Sequence, residues 1–168
     1  FMKKNNPRFP LFVDLTDKKI VVVGAGRIAA RRVRTLCQFS GEITVVAPHA
    51  CEEILALARE GQIRFEERPY RREDIYDAWM VVAATDDAAL NREIYTAGKC
   101  LGAWMNVASD RRLCDFHFAG IVKKDPLVVG INASGADHHL ARRARQEIES
   151  SLETVLPKKE ESGDEENP

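Results

Sequence analysis

The stretch Lys19-Ile20-Val21-Val22-Val23-Gly24-Ala25-Gly26-Arg27-Ile28-Ala29 decides the fold. A β-branched run stops at Gly24, and a helical pattern starts after Gly26. Strand, glycine turn and helix in that order are the setting of the G-x-G-x-x-A dinucleotide fingerprint. Each small residue has a steric task. Gly24 allows the tight turn, Gly26 lets a pyrophosphate approach the backbone, and Ala29 lets the helix lie close to the strand. The helix N-terminus then offers unpaired N–H groups and a partial positive charge to an anion. Gly24, Ala25, Gly26, Arg27 and Ile28 are therefore the candidate phosphate cradle, in preference to a purely structural turn.

Outward from this stretch, strand and helix patterns alternate. Strands are predicted at 19–23, 43–47, 63–67, 80–84 and 101–106. Helices are predicted at 27–39, 51–60 and 73–78, with a further one capped by Thr85 or Asp86 and stopped near 97 by Gly98. The run 80–84 is apolar throughout, which suits a central strand. The fold class is α/β, a Rossmann-like doubly wound parallel sheet of order 3-2-1-4-5.

After residue 112 the pattern changes. Residues 116–122 and 127–131, joined by Lys123-Lys124-Asp125-Pro126, read as a hairpin. Asp137 caps a last helix over 138–152, with Leu140, Ala144, Ile148 and Leu152 along one face. Two strands and one helix are hard to stabilise alone. A second copy supplies the missing surface, so 113–155 is expected to be a small α+β dimerisation element of a homodimer. Residues 9–112 form the expected nucleotide-binding domain. The acidic stretch 156–168, without a large apolar residue beyond Leu156, is expected to be disordered.

Composition narrows the classes further. The chain has 168 residues, 45% hydrophobic and 30% charged, which is a soluble globular balance. A net charge of -1 gives no basis for nucleic-acid binding. No apolar run approaches the ~20 residues of a membrane span. Residues 1–6 carry no signal-peptide apolar region, so a cytoplasmic location is expected. Cys37, Cys51, Cys100 and Cys114 form no C-x-x-C pair and read as reduced thiols. His138 and His139 point about 100° apart on a helix, a poor chelating pair, and no metal site is expected.

The second strand ends in Val46-Ala47-Pro48-His49, where a ribose-binding carboxylate is usual. Val46, Ala47 and Pro48 would then border the adenosine ribose, and the choice between NAD and NADP stays open. Arg27, Arg31 and Arg32 either attract an extra phosphate or form a solvated face. The fourth strand leads into Thr85 and Asp86, which suit both a contact on the nicotinamide side and a helix cap. The fifth leads into Asn106-Val107-Ala108-Ser109-Asp110. Asp110 is the candidate catalytic carboxylate, as general base or as orienting charge, with a turn aspartate as the plainer reading. Arg111-Arg112, Lys123-Lys124 and Arg142-Arg143 with Arg145 either bind a polycarboxylate or are solvated.

Taken together, these pieces resemble the precorrin-2 dehydrogenase family, the N-terminal module of siroheme synthases. The resemblance covers about residues 9–152. It rests on Phe9-Pro10-Leu11-Phe12-Val13-Asp14-Leu15, on the glycine turn through Arg31, and on Val45-Val46-Ala47-Pro48. Val82-Ala83-Ala84-Thr85-Asp86-Asp87 with Asn91, then Asn106-Val107, Leu113-Cys114-Asp115-Phe116 and Ser134-Gly135 with Leu140-Ala141-Arg142 complete it. It implies removal of a hydride and a proton from precorrin-2, the hydride passing to NAD, to give sirohydrochlorin. It also implies a homodimer and a tetrapyrrole substrate whose carboxylate arms give the basic clusters a purpose. Some members also insert ferrous iron, which makes a bifunctional dehydrogenase and chelatase one alternative. A dinucleotide-sensing module without catalysis is the other. Many members read Asn-Val-Val-Asp where this chain has Ser109, with Asp110 one step on. The usual Gly-x-Ser-Pro is Gly135-Ala136-Asp137-His138 here, and where a further helical domain usually follows, this sequence reads as the short acidic stretch 156–168.

Overall fold

The computed structural model describes residues 7–135 and 137–155. Contacts within the chain divide it into two units. One is Phe12–Phe118, and the other joins the described parts of Phe1–Leu11 and Ala119–Pro168. The expected tail at 156–168 lies outside the described residues.

In the first unit, β1 (Ile20–Val23), β2 (Ile43–Ala47), β3 (Arg64–Glu67), β4 (Met80–Ala83) and β5 (Trp104–Val107) form one sheet. Its order is β3-β2-β1-β4-β5, as the alternation predicts, and every pairing is parallel. Val23 is level with Val46 and with Ala83, and Ala83 with Val107. The loops after β1, β2, β4 and β5 therefore open along the same edge of the sheet.

β1 and β4 are buried at every position, which explains their uninterrupted apolar sequence. The period of two sorts their side chains between two cores. Ile20, Val22, Val45 and Val82 pack with Ala29, Ala30 and Val33 of α1 (Arg27–Leu36) and Ile54 of α2 (Glu52–Arg59). Val21, Val23, Val81 and Ala83 pack with Ile94 and Ala97 of α3 (Ala88–Cys100). Burying one such valine contributes about 1.5–3 kcal/mol, so the two cores dominate the unit's stability.

Several boundaries differ from the sequence reading, each for a local reason. α1 stops at Leu36 rather than 39, because Gln38 and Phe39 donate to carbonyls three residues back, at 3.3 and 2.8 Å. α3 is capped by Asp87, which accepts from the Ala89 and Leu90 amides at 2.8 and 3.0 Å, and not by Thr85 or Asp86. It runs through Gly98, which does not stop it. Gly98 is buried, and a Cβ there would stand 2.2 Å from the Met105 sulfur, so packing selects the glycine. The stop falls at Gly102, whose φ is +78°. Residues 73–78 give a short 3₁₀ turn, Arg72–Ile75, rather than an α-helix.

Residues 113–118, grouped with the hairpin in the sequence reading, lie along the outer edge of β5. The Met105 amide donates to Asp115 Oδ2 at 2.9 Å, and the Asp115 amide donates to the Met105 carbonyl at 2.8 Å. The Val107 amide donates to Cys114 Sγ at 3.2 Å. These bonds satisfy a strand edge that otherwise invites pairing with another chain.

In the second unit, β6 (Gly120–Lys124) and β7 (Leu127–Ile131) pair antiparallel, with Lys124 opposite Leu127. The turn is thus Asp125-Pro126, and the first strand starts later than the expected 116. α4 (His138–Val155) packs on the hairpin, and Asp137 caps it through the His139 and Leu140 amides at 2.8 and 3.0 Å. Among the unit's described residues, Val122 is the one large apolar side chain that is buried. Leu127 and Leu140 are exposed.

Candidate dinucleotide site

The β1–α1 turn is fixed from within the protein. The Gly24 amide donates to the Val46 carbonyl, and the Cys51 amide to the Ala25 carbonyl, both at 2.9 Å. Gly24 has φ +102°, and a Cβ on it would lie 2.5 Å from the Ala84 oxygen. Its glycine is required by the chain itself. Gly26 is different. A Cβ there meets nothing within 4 Å, and its extended backbone suits any residue. Gly26 caps α1 without a side-chain hydrogen bond, and the first turn carries no acidic residue. The first amides of α1 are left for an outside acceptor. Bare glycine, open space and uncapped amides are what a bound phosphate needs, so these residues fit a dinucleotide.

The other predicted residues are distributed along the same loop edge. Ala25 is buried, whereas Arg27 and Ile28 are exposed beside the turn. Val46 is fully buried, and its carbonyl serves Gly24. Ala47 is also buried, so of the three only Pro48 presents side-chain surface. The Thr85 hydroxyl donates to Asn91 Oδ1 at 2.7 Å, while Asp86 is exposed. Asn91 was assigned no role from sequence. The available signal was a polar residue on the apolar stripe shared with Ile94, Ala97 and Gly98.

Asp110 begins the 3₁₀ turn Arg111–Leu113 after β5. It accepts from the Arg112 amide at 3.0 Å and pairs with the Arg112 guanidinium at 2.7 and 3.0 Å. That pairing holds its carboxyl down at a pKa of about 2. Asp110 also lines a cleft of about 290 Å³ with Arg92, Tyr95, Thr96, Arg112 and Leu113. On the opposite face of the sheet, the Arg32 guanidinium bonds Asn106 Oδ1 and lies 5.2 Å over the Phe118 ring. Burial pushes the Arg32 pKa down. Arg32 is thus tied to the fold, unlike exposed Arg27 and Arg31. All four cysteines are free thiols. Among the described residues, no group of three or more His, Cys, Asp or Glu side chains is placed to hold a metal ion. No described helix is long and apolar enough to cross a membrane.

The sheet order and the glycine turn define a nucleotide-binding α/β domain of the doubly wound class. Comparison with known proteins then narrows the class. A family described as "Putative NAD(P)-binding" matches residues 11–120. A siroheme synthase of Pseudoalteromonas atlantica is 39% identical over 151 residues, 90% of this chain and 32% of that protein. A probable multifunctional siroheme biosynthesis protein of Ruminiclostridium josui is 39% identical over 142 residues, 84% of this chain and 28% of that protein. The solved structure of SirC, a precorrin-2 dehydrogenase, superposes with a TM-score of 0.77 at 27% identity, covering 86% of this chain and 70% of that one. The chain belongs to the family of precorrin-2 dehydrogenases and siroheme synthase N-terminal domains. It spans about a third of the length of the curated relatives it matches. Its cofactor class is a nicotinamide dinucleotide.

Proposed function

We propose that the protein is an NAD-dependent dehydrogenase that oxidises precorrin-2 to sirohydrochlorin in the cytoplasm, as a homodimer. The observation that carries the reading is the cradle at Gly24, Ala25, Gly26, Arg27 and Ile28, with Gly26 open where a pyrophosphate would sit. The family and the likeness to SirC, a precorrin-2 dehydrogenase, support the choice of substrate.

A bound NAD supplies the hydride acceptor. The amides at the start of α1 hold its phosphates. Pro48 borders the adenosine side, and Thr85 and Asp86 border the nicotinamide side. Asp110, ionised near neutral pH, acts as a fixed negative charge that orients a cationic substrate nitrogen, a role its low pKa suits better than proton uptake. Arg92 and Arg112 face the same cleft and suit carboxylate arms. Most of the acceleration then comes from placement, because the cofactor carries the chemistry.

The tight Asp110/Arg112 pair also motivates a second reading, a dinucleotide-sensing module without turnover. Anaerobic incubation with precorrin-2 and NAD, followed by absorbance, separates the two. Sirohydrochlorin appears if the enzyme reading holds. NAD binding without product overturns it in favour of the sensor.

A further inference from the structure

Four hydrogen bonds converge on Asn91, which is 1% exposed. Its Oδ1 accepts from the Thr85 amide at 3.2 Å and from the Thr85 hydroxyl at 2.7 Å. Its Nδ2 donates to the Thr85 carbonyl at 2.9 Å and to Ser109 Oγ at 3.4 Å. This saturates the two donors and two lone pairs of a side-chain amide. A polar group on a buried helix face is costly unless paired, and leucine would serve packing alone. The bonds all run to the two loops that follow β4 and β5.

The peptide that Asn91 grips is also the surface under the glycine turn. A Cβ at Gly24 would lie 2.9 Å from the Thr85 nitrogen as well as 2.5 Å from the Ala84 oxygen. One side chain therefore sets the 84–85 peptide between the phosphate turn and the loop that carries Asp110.

We propose that Asn91 is a positioning residue for the dinucleotide. It fixes the wall against which the nicotinamide half rests and ties that wall, through Ser109, to the Asp110 loop. The proposal rests on the dinucleotide reading of the site. Removing Asn91 leaves the Thr85 amide and carbonyl without their side-chain partner, and the wall loses its preorganised position. The phosphate turn keeps its own bonds to Val46 and Cys51. The nicotinamide half should therefore lose affinity while the adenosine and phosphate half does not.

The test is calorimetric titration of ADP and of NADH into the full chain, Asn91→Ala and Ser109→Ala, with thermal midpoints measured alongside. NADH affinity is expected to fall on the order of tenfold in Asn91→Ala and about threefold in Ser109→Ala, with ADP within about twofold in both. Equal losses for ADP and NADH would assign Asn91 to general structure and overturn the proposal. So would unchanged NADH affinity in a folded Asn91→Ala. Should Asn91→Ala fail to fold, the exposed Ser109 decides, and unchanged NADH affinity in Ser109→Ala overturns the proposal. A wild-type chain that binds neither ligand overturns the dinucleotide reading beneath it, a failure distinct from the others.

Discussion

Gly24 and Gly26 stand two residues apart and answer to different constraints. Gly24 is held by φ +102° and by the Ala84 carbonyl, so Gly24→Ala should destabilise the fold by about 2 kcal/mol or more, ligand or no ligand. A lowered midpoint in urea checks this, and a wild-type midpoint contradicts it. Gly26 is under neither constraint, since its φ is -81° and an added Cβ would meet nothing within 4 Å. Asp110 makes a residue-scale statement about pH. Its folded pKa of about 2 lies below the ordinary carboxylate value, so its pairing stabilises the fold above pH ~4. That contribution is lost as pH falls through about 2. Carboxyl NMR shifts of Asp110 should titrate near 2 in the wild type and move up in Arg112→Ala. An unshifted value would show that the pair does not form in solution. The glycines were legible in the sequence because their spacing is a pattern. The grip of Arg112 on Asp110 was not, because no spacing rule distinguishes a paired turn aspartate from a free one.

At the scale of elements, alternation of strand and helix patterns revealed the five strands and their order, most plainly at β1 and β4, where burial at every position leaves an uninterrupted apolar run. Ends were harder to read. Gly98 has the sequence appearance of a helix stop and is a packing glycine against Met105. Exposed Gly→Ala changes inside helices stabilise by roughly 1 kcal/mol. Gly98→Ala should instead destabilise by about 1–3 kcal/mol, since Met105 is fully buried. A rise in the denaturation midpoint would show that Met105 can move aside. The edge of β5 was equally hidden. Leu113-Cys114-Asp115-Phe116 carries no strand pattern, yet Asp115 and Cys114 satisfy amides of that strand. Side chains that stand in for a neighbouring strand leave no periodic trace in sequence.

At the scale of the whole molecule, the two units are unequal in core. The unit Phe12–Phe118 has apolar clusters on both faces of its sheet. The hairpin and α4 bury Val122 and leave Leu127 and Leu140 exposed. A two-stranded sheet with so little buried surface is marginal alone, and the homodimer proposed above supplies cover. Light scattering should give twice the chain mass, and Leu127→Asp with Leu140→Asp should give a monomer. A monomeric wild type would contradict the proposed dimer. The fold and cofactor class were legible because backbone geometry and burial govern them. The proposed substrate rests on the family resemblance alone, since a few arginines and one carboxylate specify no tetrapyrrole.

The proposed dinucleotide lies on the turn opened by Gly26. Titration of NADH into the wild type and into Gly26→Val tests it, because the extended backbone there accepts a β-branched residue and an added Cβ meets no protein atom within 4 Å. The expected result is a thermal midpoint lowered only by the loss of a glycine N-cap, about 1 kcal/mol, with NADH affinity lowered by more than about tenfold, the side chain occupying the place of the pyrophosphate. Equal affinity in the two proteins would contradict it and place the dinucleotide elsewhere.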